Sequence, residues 1–234
     1  MELTEGIILK TIKYQENSKL CYIITKDGLV TALVRASLDY KSKNFSYSQE
    51  LTKIGFALSK SKKNSFDILT SGMVVDSYLN LKKDYDTLYN ISKIVELVYK
   101  SINYVNSSSN LYDLLNFVLD NLNREYKDYF VFFPLILKLK LLYLLGVGPN
   151  FNGCTSCKAK NTVAFSVERG GVLCAKCQGE YDIKTDYIDI MKILYLAKLD
   201  KLNCELISSL PIDSINVINE IVNKYYEKYL SIKL

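Results

Sequence analysis

The clearest chemistry in this 234-residue chain lies in four cysteines, Cys154-Thr-Ser-Cys157 and, after sixteen intervening residues, Cys174-Ala-Lys-Cys177. A Cys-x-x-Cys bend turns both sulfurs toward one centre, and two such pairs at this separation have the spacing of a four-thiolate zinc site. The segment between them has the length of a short hairpin that brings the second pair round. Val163-Ala-Phe-Ser-Val167 is strand-like, Gly170-Gly171 supplies a turn, and Val172-Leu173 leads into the second pair. Four sulfurs leave no open coordination position, so the expected Zn2+ is structural rather than catalytic. The competing readings are two disulfides or four unconnected thiols. The evenly matched pairs, in a chain that nothing marks as secreted, favour the metal. Cys21 and Cys204 sit among apolar residues and read as small buried side chains.

Two absences narrow the chemistry further. The chain has no histidine and no tryptophan. Without histidine there is no Ser-His or Cys-His nucleophile pair, no mixed histidine/carboxylate catalytic metal site and no deaminase signature. No paired-carboxylate motif stands out either, and the reading is that the protein is not an enzyme. The formal charge of +5 and pI near 8.7 are only mildly basic. Met1-Glu-Leu-Thr opens no cleavable leader, so a cytoplasmic protein is expected, with no membrane span.

The elements that must position these residues follow from periodicity. Residues 1–80 read as an antiparallel β unit with strands at Gly6–Lys13, Lys19–Thr25, Gly28–Arg35, Glu50–Leu58, Ser65–Leu69 and Met73–Tyr78. Lys26-Asp27-Gly28 is a hairpin signal. About five strands in eighty residues suit a small barrel of the oligonucleotide-binding (OB) type, whose closure removes exposed edges. From Leu81 the period becomes helical. Asn106-Ser-Ser-Ser-Asn110 interrupts it, and Leu111–Leu122 forms a second helix. Tyr129–Leu145 is the most apolar run, but it is short and carries Pro134, Lys138 and Lys140, so it reads as the central helix of a bundle stopped by Gly146. Thr185 or Asp186 can cap a helix to about Leu199, and Pro211 and Asp213 open a last one through Leu230, with Glu220 and Lys224 paired. The fold class is therefore α+β and multidomain: an OB-type barrel (1–80), a helical domain in two parts (81–149 and 181–234), and an inserted four-cysteine zinc module (150–180).

In this order the chain resembles the RecO family of DNA repair and recombination mediators. The resemblance rests on Thr4–Leu20, Met73–Tyr78, Leu142–Cys154 and Phe165–Cys174, which follow one another as in that family. It implies a non-enzymatic, nucleoid-associated protein that binds single- and double-stranded DNA and anneals complementary strands. With RecR, such proteins help load the RecA recombinase on strands coated by single-strand-binding protein (SSB), whose acidic C-terminal tail docks on the helical domain. One segment departs from the family: Val34-Arg-Ala-Ser-Leu-Asp-Tyr-Lys-Ser-Lys43 carries Asp39 and fewer basic residues than usual.

The residues offer matching candidates. Eleven basic and eight acidic residues fall in 1–80, most of the chain's surplus. Lys10, Lys13, Lys19, Arg35, Lys41, Lys43, Lys62 and Lys63 could track phosphates, with Lys60 beside them. Tyr14, Tyr40, Phe45 and Tyr47 could stack on bases. For each residue alone a solvated strand face or barrel core is the plainer reading, and the cluster Arg35–Lys43 on its long loop is the concentrated one. Lys138 and Lys140 could border a groove for the SSB tail, or could simply lie along the helix surface. A second class remains open on the residues alone: a zinc-stabilised protein-interaction adaptor with no direct DNA role.

Overall fold

In the computed structural model, five strands curl into a barrel that β4 closes against β1: β1 (Thr4–Tyr14), β2 (Ser18–Thr25), β3 (Gly28–Val34), β4 (Lys53–Ser59) and β5 (Asp67–Asp76), with a one-turn helix, α1 (Lys43–Ser46), between β3 and β4. They close as β1-β2-β3-β5-β4, every pairing antiparallel except β3–β5, where Ala32 meets Asp67 and Leu33 meets Ile68. The structure describes residues 3–61, 65–125, 131–180, 182–184, 187–202, 206–207 and 209–234.

The barrel interior is apolar, with Ile8, Cys21, Ile23, Ala32, Ile54, Phe56 and Leu69 at its centre. The Asp-Gly signal marks a real turn. Thr25 pairs with Gly28, and the Thr25 hydroxyl accepts from the Asp27 N–H (3.2 Å) and donates to the Gly28 carbonyl (3.0 Å). One strand expectation changes: Ser65–Leu69 and Met73–Tyr78 are not two strands, because β5 runs unbroken through Thr70-Ser71-Gly72. Gly72 within β5 serves a close approach; a Cβ there would lie 2.8 Å from the Tyr47 ring.

Ile7, Ile8 and Leu9 are all buried because both faces of β1 are covered. Ile8 points into the barrel and Leu9 faces a groove shared with α2 (Tyr85–Ser101), and the register shifts in a bulge between Ile8 and Lys10. Asp84 caps that helix, its carboxylate accepting from the Thr87 N–H at 2.9 Å. The Asn106–Asn110 run is less of a break than it reads. α3 (Ser108–Glu125) begins inside it, with the Ser107 hydroxyl accepting from the Asn110 N–H at 3.2 Å. α2 packs on β1, and α3 on β2 and β3. Barrel and helices make one compact unit, Met1–Tyr126, and the remainder, Lys127–Leu234, makes a second.

The second unit is built on α4 (Phe132–Leu144), nine of whose thirteen residues are buried, against α5 (Ile188–Leu196) and α6 (Ile212–Leu230). Tyr129 and Phe130 of the apolar run lie outside the described residues, as do the proposed caps Thr185 and Asp186. α4 stops at Gly146, whose N–H reaches back to the Tyr143 carbonyl (3.0 Å). α5 ends at Leu196, short of the expected Leu199, and a separate 3-10 turn covers Leu199–Lys201. The Lys140 ammonium caps that end, donating to the carbonyls of Tyr195 (3.2 Å) and Ala197. The expected Glu220–Lys224 pair is not among the ion pairs of the described residues. No described helix is long and apolar enough to cross a membrane.

Candidate metal centre and nucleic-acid interface

The cysteines are delivered by a three-stranded sheet, β7-β6-β8, of β6 (Ala164–Ser166), β7 (Gly171–Leu173) and β8 (Ile183–Lys184). Phe165 pairs with Val172 across the β6–β7 hairpin, so the second cysteine pair leaves β7 beside the first. Gly171 is required where the incoming chain crosses the hairpin, since a Cβ would sit 2.5 Å from the Asn150 carbonyl. The Thr155 N–H then bonds the Val172 carbonyl at 2.9 Å, tying the first loop to β7. Each Cys-x-x-Cys is closed by its own backbone: the Cys154 carbonyl accepts from the Lys158 N–H (2.9 Å), and that of Cys174 from Cys177 and Gln178 (both 3.0 Å).

The four sulfurs lie within 4.8 Å of one another, and those of Cys157 and Cys174 are 3.6 Å apart. A tetrahedron with Zn–S bonds of about 2.3 Å has edges of about 3.8 Å, so the donor set fits a four-coordinate ion. All four are free thiols rather than two disulfides. Burial pushes the Cys154 thiol up, but N–H groups of Cys174, Cys157 and Ser156 outweigh it and bring it down to about 6. Cys174 is also pushed up by burial and drawn further down, by the Cys157 thiol and the N–H groups of Lys176 and Cys177. Cys177 is pushed up to about 12 by hydrogen bonds with the Cys157 and Cys174 thiols and by burial. A cation at the centre would take the place of those shared protons.

α6 grips the hairpin tip. Tyr229 donates its hydroxyl to the Val167 carbonyl (3.0 Å), and Lys228 pairs with Glu168 (2.5 Å). Arg169, which the spacing argument did not single out, donates from Nη1 to the Ser156 hydroxyl (3.1 Å) and the Cys177 carbonyl (2.8 Å). A signal was present, for only three of the thirty basic residues are arginine.

The barrel cations separate into groups. Lys13 pairs with Lys19 across β1–β2, and Lys19 with Val34 across β2–β3, which brings both beside Arg35 at one barrel end. Asn44 fastens the loop of Lys41 and Lys43 there, its amide donating to the Arg35 carbonyl at 2.8 Å. Lys13, Arg35, Lys41 and Lys43 are exposed. Lys19 is half-buried and engaged: it donates to the Ser48 carbonyl (3.2 Å) and the Gln49 side chain (3.3 Å) and lies over the Phe45 ring. Lys10 stands apart, its ammonium 5.3 Å above the Tyr99 ring of α2. Lys62 and Lys63 lie outside the described residues. Asp39 turns its carboxylate to the Lys41 N–H (2.9 Å).

Of the four aromatic candidates, Tyr40 is 75% exposed, while Tyr47 belongs to the barrel core. Tyr14 stands edge-on to Phe66, and Phe45 lies beneath Lys19. In the second unit, Lys138 donates to the side chains of Asn219 (2.9 Å) and Asn223 (3.0 Å). Lys140 is held at the end of α5, and burial pushes its ammonium down to about 8.

Two family models match the chain in succession. "Recombination protein O N terminal" covers residues 1–78 and "Recombination protein O C terminal" residues 82–234. The chain belongs to the recombination protein O family. The first match falls on the barrel, the second on the helices and the cysteine module. A curated DNA repair protein RecO of Clostridium perfringens is 31% identical over 202 residues, covering 84% of this chain and 80% of the relative. That of Caldicellulosiruptor bescii is 28% identical over 214 residues, covering 86% and 84%. That of Halalkalibacterium halodurans is 24% identical over 237 residues, covering 98% and 90%. The family resemblance and the α+β fold with its closed barrel, both expected from the sequence, hold.

Proposed function

We propose that this chain is a non-enzymatic recombination and repair mediator of the cytoplasm and nucleoid. It binds single- and double-stranded DNA through the barrel end, anneals strands, and helps RecR load RecA on SSB-coated DNA. The carrying observation is the match of the family's N-terminal domain to a closed barrel whose exposed Lys13, Arg35, Lys41 and Lys43 gather at one end. Cations spaced over a rigid end neutralise successive phosphates without reading bases, and Tyr40 adds a face on which a base can stack.

Zinc held by Cys154, Cys157, Cys174 and Cys177 fixes the two loops of the second module and takes no part in a reaction. The acidic SSB tail is assigned to the α4 surface at Lys138 and Lys140. Docking there requires its carboxylates to take Lys138 from Asn219 and Asn223.

Fluorescence polarisation of labelled single-stranded DNA against the full chain tests the reading. Four phosphate contacts give a slope of log affinity on log salt of about −3, at about −0.7 per contact. A chain that bound the SSB tail but no DNA at low salt would be the adaptor instead.

A further inference from the structure

We infer that Arg169 is a positioning residue for the metal: its guanidinium clasps the two cysteine loops together and slows loss of the ion. The inference rests on the zinc reading above.

Arg169 sits at the tip of the β6–β7 hairpin, on a platform held from outside the cysteine loops. Tyr229 bonds the carbonyls of Val167 (3.0 Å) and Glu168 (3.4 Å), and Lys228 pairs with the Glu168 side chain. From there one nitrogen, Nη1, reaches both loops: Ser156, inside the first Cys-x-x-Cys, and the carbonyl of Cys177, the last ligand. Each loop is closed on itself by backbone bonds and so moves as a piece. Loss of the ion requires one pair of sulfurs to swing away from the other, which is the motion the bridge opposes.

Charge does not set Arg169 apart, because Lys158 and Lys176 stand beside the same cysteines. What sets it apart is the planar guanidinium, whose Nη1 holds two N–H groups in fixed directions, one for each loop, a geometry that a freely rotating lysine ammonium lacks.

The test is zinc release from the loaded full chain into excess chromogenic chelator, with the thiolate-to-cobalt absorption of the Co2+ form reporting the geometry of the site. Arg169→Ala should release zinc about tenfold faster, within the range for lost outer-sphere partners. Arg169→Lys, which keeps the charge but not the bridge, should behave like Arg169→Ala. Ser156→Ala should accelerate release less, and adding it to Arg169→Ala should change little more. Lys176→Ala should match the wild type. Wild-type release from Arg169→Lys would reduce the effect to charge and overturn the clasp, as would an unchanged rate in Arg169→Ala. A wild-type chain that retained no zinc would overturn the metal reading itself.

Discussion

The barrel of β1–β5 surrounds Ile8, Ile23, Ile54, Phe56 and Leu69 with its own walls, whereas the sheet of β6–β8 gathers Cys154, Ala164, Leu173 and Cys174 as its core. Each large apolar side chain in the first contributes roughly 1.5–3 kcal/mol, so the barrel is held by burial. In the second, half the core residues are the proposed metal ligands. Two thiols show the same contrast. Cys21 and Cys154 are both 0% exposed. Burial pushes Cys21 up to about 12, while backbone N–H groups aimed at Cys154 bring it down to about 6. The thiol met by backbone N–H groups is the proposed ligand, and the one whose shift is set by burial is the filler.

The largest break of this comparison is Cys154→Ser or Cys177→Ala. Structural zinc is worth on the order of 10 kcal/mol to small modules. Either variant should lose zinc and hydrogen-exchange protection at Phe165 and Val172, while Ile23 and Ile54 stay protected. Protection retained in 164–173 without metal would show that the small sheet holds itself. The converse is Phe56→Ala, expected to cost about 3–5 kcal/mol in denaturant melts while leaving zinc content unchanged.

Smaller effects sharpen the same division. Replacing Arg35, Lys41 and Lys43 together by alanine should make the salt slope of DNA binding shallower by about 2 and leave stability within about 0.5 kcal/mol. Cys21 gives the same division a response to pH. Its folded thiol stays protonated to about 12, whereas the unfolded thiol ionises near 9.0. Barrel stability should therefore decline as pH rises through that window. Native Cys21 should resist alkylation at pH 9, while the metal-free module thiols react, as peptide mass spectrometry would show.

The cysteine spacing, the strand periods and the Asp-Gly hairpin were legible in the sequence because each is set by residues a few positions apart. What depends on distant neighbours was not. Barrel core is the plainer sequence reading of Tyr47, but its partner is not legible: the ring packs against Gly72 of β5. The expected strands stop at Leu69 and resume at Met73 because the pattern holds no trace of that ring. Lys138 and Lys140 read as interruptions in an apolar helix, and only the fold supplies Asn219, Asn223 and the end of α5 as their partners. Arg169 has no periodic or paired signature, and its two contacts lie 13 and 8 residues away.

The central claim is that the barrel end grips DNA without the metal. Polarisation titration of labelled single-stranded DNA, across salt, against the zinc-loaded full chain and the same chain stripped by chelator tests it most directly. The account predicts the same affinity and the same steep salt dependence in both forms. DNA binding that vanished with the zinc, or that ignored salt, would contradict it.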